Sequence, residues 1–319
     1  MKHITQEQRY TISAMLAQGV SYSMIANTIN VHKSSVGREI KRNCDERNLQ
    51  YKSDLATRKC LKRHKEKPKH TIYTPEMSLQ IEHLLRLKYS PEQIHGWSSR
   101  EGIAMISHES IYRRIWADKK EGGILPTHLR SKGKKYRKRG ALKDKRGQIS
   151  NKRHISERPA IVEEKSRIGD LEIDTVIGKN HQGALVTIND RKTNLIKIVK
   201  VDGKHAKEVT EATIKALSDW NWIKTITSDN GKEFAFHEQI AKALNVEYFF
   251  ATPYHSWERG ANENTNGLIR QYIPKKTDFS TITDEYVQMV EDELNNRPRK
   301  KHGYLTPKEV ILKEINKSD

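Results

Sequence analysis

The chain has 319 residues and a formal net charge of +19, with 59 Lys and Arg residues against 40 Asp and Glu residues. This length predicts two or more domains of roughly 150 residues each. The sequence lacks the ~20 consecutive apolar residues of a membrane helix and an apolar leader, and its two cysteines exclude a disulfide framework or a zinc cluster. We therefore expect a soluble, reduced, cytoplasmic protein that binds a polyanion and no membrane.

The positive charge is concentrated in the first half of the chain. Residues 1–150 contain 32 Lys and Arg residues against 14 Asp and Glu residues, a balance of +18, whereas residues 151–319 contain 27 against 26. A merely solubilising surface would not be confined to one half. The asymmetry favours nucleic-acid binding by the first half.

Three short helices are predicted within residues 1–45. Thr5 and Ser21 are candidate N-caps, Gly19 permits the turn between the first two helices, and the third runs over about residues 32–42. This layout predicts a helix-turn-helix whose last helix enters the major groove. The side chains expected to contact DNA there are Lys33, Ser34, Ser35, Arg38, Lys41 and Arg42. A plain three-helix core with a solvated face is the alternative.

A second three-helix pattern follows over residues 73–118. Thr74-Pro75 and Ser90-Pro91 mark the starts of two helices, and Ser107 marks a third. We therefore predict a second helix-turn-helix-like module, with Arg113 and Arg114 of its last helix as DNA contacts.

Two basic connectors are predicted, over residues 46–72 and 119–158. Residues 58–69 hold seven Lys and Arg residues with one acid, and residues 130–146 hold ten with one Asp. The second run is too polar to bury a core, which predicts a segment that is flexible when unbound. Its expected DNA contacts are Lys134, Lys135, Arg137, Lys138 and Arg139. Solvated spacers are the alternative for both runs.

Residues 159–319 have the pattern of a mixed α/β domain. Apolar and polar residues alternate over 171–177, and two further β-branched runs follow closely. Helices then alternate with strands, and the chain ends in helices. Three antiparallel strands followed by this alternation predict a mixed five-stranded sheet in the ribonuclease H-like arrangement.

Three carboxylates of this domain stand out by position. Asp174 lies inside the first strand, Asp229 lies where the fourth strand ends, and Glu263 lies near the start of a helix. If they converge on one edge of the sheet, a cation must neutralise them. Carboxylate oxygens suit Mg²⁺, and a pair of such ions about 3.5–4 Å apart catalyses phosphodiester chemistry.

Each carboxylate also has an ordinary explanation. Asp229 in Asp-Asn-Gly is typical of a turn, and Glu263 is favoured by the dipole at a helix N-terminus. Composition alone does not choose among these and the neighbouring acids, which are Asp170, Glu172, Asp190, Glu233 and Glu258.

Three segments resolve that choice, namely residues 169–178, 228–234 and 254–270. Together with Asn295-Asn296-Arg297-Pro298-Arg299, Thr306-Pro307 and the N-terminal Arg38-Glu39-Ile40-Lys41-Arg42-Asn43, they resemble DDE transposases of bacterial insertion sequences. That family shares its catalytic fold with retroviral integrases.

The resemblance implies that Asp174, Asp229 and Glu263 are both the catalytic residues and the metal ligands. It implies two Mg²⁺ ions, with Mn²⁺ able to substitute, and cleavage and strand transfer at the terminal inverted repeats of an element. It also implies target DNA as a partner and a homodimer or larger assembly on DNA, associated with the nucleoid. Residues of the third segment expected to contact DNA are His255, Arg259, Asn262, Asn266 and Arg270.

Two other functions compete with strand transfer. One is a catalytically silent DNA-binding regulator that uses the helix-turn-helices, and the other is a nuclease that does not join strands. A binding-only protein has no reason to keep all three carboxylates, so the sequence favours the enzyme.

Overall fold

The structure, a computed structural model, describes residues 3–67, 73–130, 149–253 and 255–317. The chain divides into two compact units, Met1–Ile72 and Tyr73–Asp319. Within the described ranges, no helix is long and apolar enough to cross a membrane.

Four helices make up the described part of the first unit. They are α1 (Gln6–Ala17), α2 (Tyr22–Thr28), α3 (Lys33–Asn43) and α4 (Ser53–Glu66). Thr5 and Ser21 accept hydrogen bonds from the first turns of α1 and α2, as N-caps do. Ile12, Ile25 and Val36 are fully buried between the helices. The three helices predicted for the helix-turn-helix are confirmed.

Helix α4 lies inside the stretch, residues 46–72, for which the sequence predicts a linker. Its charged residues face outward, whereas Ala56 is fully buried and Tyr51, just before the helix, is nearly so. Both join the core of the first unit. A packed helix therefore replaces much of the predicted linker, because one apolar stripe is enough to seat a charged helix on its neighbours.

Three more helices begin the second unit. They are α5 (Pro75–Arg86), α6 (Pro91–Arg100) and α7 (His108–Lys120). Thr74, Ser90 and Ser107 cap them, as their sequence positions predict. The buried side chains of their shared core include Ile81, Leu85, Ile94, Ile111 and Ile115.

The connector predicted over residues 119–158 is shorter in the structure at both ends. Leu129, which follows the 3₁₀ helix Leu125–His128, packs into the core of α5–α7. Ile149 packs into the core of the sheet. Leu129 and Ile149 are therefore packed residues within the predicted connector, and residues 131–148 between them lie outside the described part of the chain.

A mixed five-stranded sheet forms the centre of the second unit. Its strands are β1 (Asp170–Ile177), β2 (Ala184–Asp190), β3 (Ile196–Val201), β4 (Thr225–Ser228) and β5 (Glu247–Phe250). The strand order is β3-β2-β1-β4-β5, with β1, β2 and β3 antiparallel and β4 and β5 parallel to β1. The predicted sheet is confirmed.

Helices cover both faces of this sheet. The remaining helices are α8 (Ile161–Glu164), α9 (Ala206–Leu217), α10 (His237–Leu244), α11 (Gly260–Tyr272), α12 (Asp284–Asn295) and α13 (Pro307–Ile315). Along β1, Leu171 and Ile173 share a core with α9 and α10, whereas Val176 shares one with α11 and α12. Because side chains alternate along a strand, Asp174 lies on the face that α11 covers.

Helix α6 packs against the C-terminal part of the second unit. A Cβ atom on Gly96 would lie 2.1 Å from the ring of Tyr304, so only glycine lets the helix approach this closely. Gln93 donates to the carbonyl of Pro298 at 2.7 Å, and Arg100 donates to that of Tyr304 at 2.9 Å. These contacts join the α5–α7 module to the domain that carries the sheet.

Candidate active site

Asp174 and Asp229 lie side by side just beyond the paired residues of two adjacent parallel strands. The last β1–β4 pair is Glu172 with Thr227, and each aspartate comes two residues later in its strand direction. Their side chains are 22% and 28% exposed. Both are therefore accessible from the edge at which α/β sheets bind ligands.

The guanidinium of Arg259 lies between these two carboxylates. Its Nη1 is 3.6 Å from Oδ1 of Asp174, and its Nη2 is 3.6 Å from Oδ2 of Asp229. Burial raises the pKa of Asp174, Arg259 opposes that rise, and the charge of Asp229 adds to it. The two carboxylates therefore concentrate negative charge at the site, and the guanidinium of Arg259 partly offsets that charge.

Two amide groups orient the carboxylates further. Asn266 of α11 donates from Nδ2 to Oδ2 of Asp174 at 2.7 Å, and Thr187 of β2 donates to Oδ1 of Asn266 at 3.1 Å. Oδ1 of Asp229 accepts the backbone N–H of Gly231 at 2.8 Å. The Asp-Asn-Gly sequence thus forms the turn that its composition suggests and also presents a carboxylate.

Glu263 lies in the first turn of α11, and its side chain is exposed. It shares a helix face with Asn266, since residues three apart on a helix are neighbours. Within the described ranges, no three His, Cys, Asp or Glu side chains are close enough to hold a metal ion. The structure therefore brings together two of the three predicted carboxylates, and the third is exposed on α11.

The other acids of this region have protein partners of their own. These pairs are Asp170 with Arg167, Glu172 with Arg191, Asp190 with Thr193, Glu233 with Lys204, and Glu258 with Thr252. Of these partners, Arg191 also lies between two carboxylates, those of Glu172 and Glu163, and its side chain is only 3% exposed.

The predicted DNA-binding residues of the helical modules lie mostly on open surface. On α3, Ser35 is half-buried, and the exposed residues are Lys33, Ser34, Arg38, Lys41 and Arg42. On α7, Arg113 and Arg114 are exposed, and Arg114 lies 4.1 Å from the centre of the Tyr73 ring. The predicted contacts Lys134, Lys135, Arg137, Lys138 and Arg139 lie outside the described residues.

Some residues of the third segment that were expected to contact DNA also contact protein. Asn262 is 1% exposed, which contradicts the prediction that it faces DNA. Arg270 donates to the carbonyl of Ile177 at 3.0 Å, and His255 lies 3.3 Å from Glu258. The reason is that α11 lies on the sheet, so an inward residue occurs at every helical turn.

Thr187 is a site residue that sequence reasoning missed. It is fully buried beneath Asn266 and supports the contact of that residue with Asp174. The sequence does contain an indication of this role, because Thr187 is the one hydroxyl-bearing residue within the apolar run Ala184-Leu185-Val186-Thr187-Ile188.

Residues 1–43 match a protein-family model described as a helix-turn-helix domain. The catalytic core domain of BIV integrase aligns with 47% of this chain and 97% of its own, at 17% identity and a TM-score of 0.39.

Sequence relatives match the chain over its whole length. The transposase for insertion sequence element IS4351 of Bacteroides fragilis is 55% identical over 99% of this chain and 98% of its own length. The transposase InsI for insertion sequence element IS30A of Escherichia coli (strain K12) is 34% identical over 99% of this chain and 85% of its own. With its N-terminal DNA-binding domain, the chain is an enzyme that belongs to the insertion-sequence transposases.

Proposed function

We propose that the chain cuts the ends of its element and joins them to target DNA at a metal site formed by Asp174, Asp229 and Glu263. The observation that carries this proposal is the position of Arg259, whose guanidinium lies 3.6 Å from each aspartate. Two carboxylates on neighbouring parallel strands that share one cation form a site suited to a metal ion.

The donor set fits Mg²⁺, with Mn²⁺ as a substitute. Asp174 and Asp229 supply adjacent carboxylate oxygens, which are the ligands that this hard cation takes. Glu263 is the third ligand, and it reaches the site by turning its exposed side chain along the face of α11 that carries Asn266. When bound, two such ions activate the attacking oxygen and stabilise the leaving one.

The protein residues around the carboxylates position the reacting groups. Asn266 holds Asp174 in one orientation through its 2.7 Å hydrogen bond. If the carboxylates held a metal ion, the planar guanidinium of Arg259 would be available to contact phosphate oxygens. His255, at the same edge, is a further candidate for flanking phosphate.

The reaction has two steps at one site. A water oxygen first attacks the phosphorus at the element end, so that the P–O3′ bond breaks and a 3′-hydroxyl is released. That hydroxyl loses its proton to solvent as its oxygen attacks a target phosphodiester in line, and the target's own 3′-oxygen leaves and takes up a proton from solvent. Neither step forms a covalent bond to the protein.

DNA recognition is assigned to the helical modules. The exposed residues of α3 read the terminal inverted repeats, and the basic residues of α7 contact phosphate. Because two ends are cut and joined together, we propose a homodimer or larger assembly on DNA.

Replacement of Asp229 by Asn in the full-length chain tests the metal site. With element-end DNA and Mg²⁺, we expect the native protein to nick and join, and the variant to do neither while binding the DNA as well as before. Asp219→Asn, at an exposed position, is the control for the same change in net charge. Unchanged joining by Asp229→Asn would overturn the assignment, and equal loss in the control would show a general charge effect.

A further inference from the structure

Glu172 is a buried carboxylate that the proposed reaction does not use. It lies two residues before Asp174 on the same face of β1, and it is 1% exposed. Removing a charged carboxylate from water is costly unless hydrogen bonds or an opposite charge compensate it. The partners of Glu172 therefore indicate what the residue does.

One of those partners is the start of α11. Oε2 of Glu172 accepts the backbone N–H of Asn262 at 3.0 Å. Residue Arg259, at the N-cap position of α11, makes no side-chain capping bond. The first N–H groups of a helix need external acceptors, and a negative charge is favoured there. Glu172 thus supplies from the sheet a cap that α11 does not supply for itself.

The other partner fixes Glu172 on the sheet. Nε of Arg191, just after β2, lies 3.4 Å from Oε1 of Glu172, and Nη2 of Arg191 lies 3.0 Å from Oε2 of Glu163. Arg191 is itself 3% exposed. Arg191 therefore holds the carboxylate of Glu172 on the sheet. The other oxygen of that carboxylate accepts the hydrogen bond from the first turn of α11.

We infer that Glu172 is a positioning residue for Glu263. Asn262 directly precedes Glu263, so the bond to Asn262 sets the depth of the first turn of α11 against β1. That depth determines where Glu263 stands relative to Asp174, which lies on the same strand as Glu172. This inference rests on the proposed role of Glu263 as a metal ligand.

A double-mutant cycle on metal affinity tests this inference without reference to activity. Mn²⁺ binding to the full-length chain is measured by electron paramagnetic resonance for the native protein, Glu172→Gln, Glu263→Gln and the double variant. Loss of a residue that orients a metal ligand typically weakens affinity about 10-fold or more. We expect each single variant to bind Mn²⁺ at least about 10-fold more weakly, and the double variant to bind as Glu263→Gln does.

The outcomes separate this inference from the proposed function. If Glu263→Gln binds Mn²⁺ as the native protein does, the metal-ligand assignment fails and the inference fails with it. If Glu263→Gln binds weakly but Glu172→Gln does not, only the positioning role is overturned. Equal weakening by Glu172→Gln in both backgrounds also overturns it, because Glu172 would then act independently of Glu263.

Two further variants guard against a general loss of structure. Asp170→Asn removes a buried carboxylate on the same strand and face, whose hydrogen-bond partners Arg167 and Thr225 do not belong to α11. We expect it to leave Mn²⁺ affinity unchanged. Asn262→Pro removes the donor while leaving Glu172 intact, and proline is tolerated in a first helical turn. Weakened Mn²⁺ binding in Asn262→Pro, with thermal unfolding like that of Asp170→Asn, supports the inference, and native affinity overturns it.

Discussion

The two helical modules have similar sequence patterns but different structural settings. Helices α1–α4 form a compact unit of their own, whereas α5–α7 belong to the unit that contains the sheet. The first module has its own buried core and exposes the polar residues of α3. The second has a core too, but its helix α6 also packs on the segment after α12, through Gly96 and Gln93.

We infer from this difference that the first module serves to recognise a DNA sequence and the second to position DNA relative to the sheet. We expect a module with its own core to recognise a DNA sequence by the residues that it exposes. A module joined to the sheet fixes the distance and direction from any DNA that it contacts to Asp174 and Asp229. We therefore expect substitutions in the contacts between α6 and the segment after α12 to affect the second unit as a whole. Substitutions on α3 should affect the sequence preference of DNA binding.

The largest expected effect is at Arg297, which joins α6 to α11. It is 3% exposed, and it donates from Nε to Gln93 at 3.2 Å and from Nη1 to Gln271 at 2.8 Å. Arg297→Ala leaves both acceptors without this donor in a buried place and should lower the free energy of unfolding by about 3 kcal/mol. Urea denaturation followed by tryptophan fluorescence measures this, because all five tryptophans lie in the second unit.

Arg63 is the matched arginine of the first unit. It joins α4 to α3 by donating to the carbonyl of Arg42 at 2.7 Å, but its side chain is exposed. Arg63→Ala should cost less than about 1 kcal/mol, measured by circular dichroism. If Arg63→Ala lowers the free energy of unfolding more than Arg297→Ala does, the contacts of Arg297 are not the more stabilising of the two.

A pair of exposed arginines compares the modules as DNA readers. Arg38→Ala on α3 should weaken binding to the element end by about 1–3 kcal/mol and relax its sequence preference. Arg113→Ala on α7 should weaken binding to all sequences alike and reduce the salt dependence by about one ion. Fluorescence anisotropy with end and scrambled duplexes at several salt concentrations distinguishes them. Relaxed preference in Arg113→Ala would make the second module a reader as well.

The sequence predicted the elements of both modules and of the sheet because their hydrophobic periodicity and caps are local signals. Thr5, Ser21 and Ser90 each cap the helix that they precede. It did not predict that α5–α7 are joined to the sheet. That contact depends on a glycine, Gly96, and on Tyr304, which are more than 200 residues apart and share no local pattern.

The candidate site was predictable in its residue types and less so in its geometry. Asp174 and Asp229 are neighbours because β1 and β4 are adjacent and parallel, a pairing that the predicted mixed five-stranded sheet did not specify. The position of Arg259 between them, and the burial of Asn262, depend on how α11 lies on the sheet. Helical spacing gives the relative directions of its side chains but not which of them face inward.

Two mid-helix glycines test the close packing of α6. Gly96→Ala should destabilise the second unit by about 1–3 kcal/mol, since the new methyl overlaps the ring of Tyr304 unless that ring moves. Gly37→Ala on α3, where no atom lies within 4 Å of the added Cβ, should instead stabilise the first unit by about 0.5–1 kcal/mol. Thermal unfolding by tryptophan fluorescence for the first variant and by circular dichroism for the second measures both. If both variants change stability in the same direction, the predicted difference in packing between α6 and α3 is wrong.

A pH dependence of stability is expected in the segment to which α6 is joined. Burial lowers the pKa of His302 to about 4, so the folded protein keeps this side chain neutral where the unfolded chain, with an ordinary pKa near 6.5, takes up a proton. The resulting stability is complete above pH 6.5 and is lost as the pH falls towards 4, by about 1–2 kcal/mol. His302→Asn should flatten this part of the urea-unfolding profile between pH 7 and 4.5, whereas His108→Asn, at an exposed position, should leave it unchanged. If the pH dependence of unfolding is unchanged in His302→Asn, other groups of the second unit determine its acid sensitivity and His302 does not contribute to it.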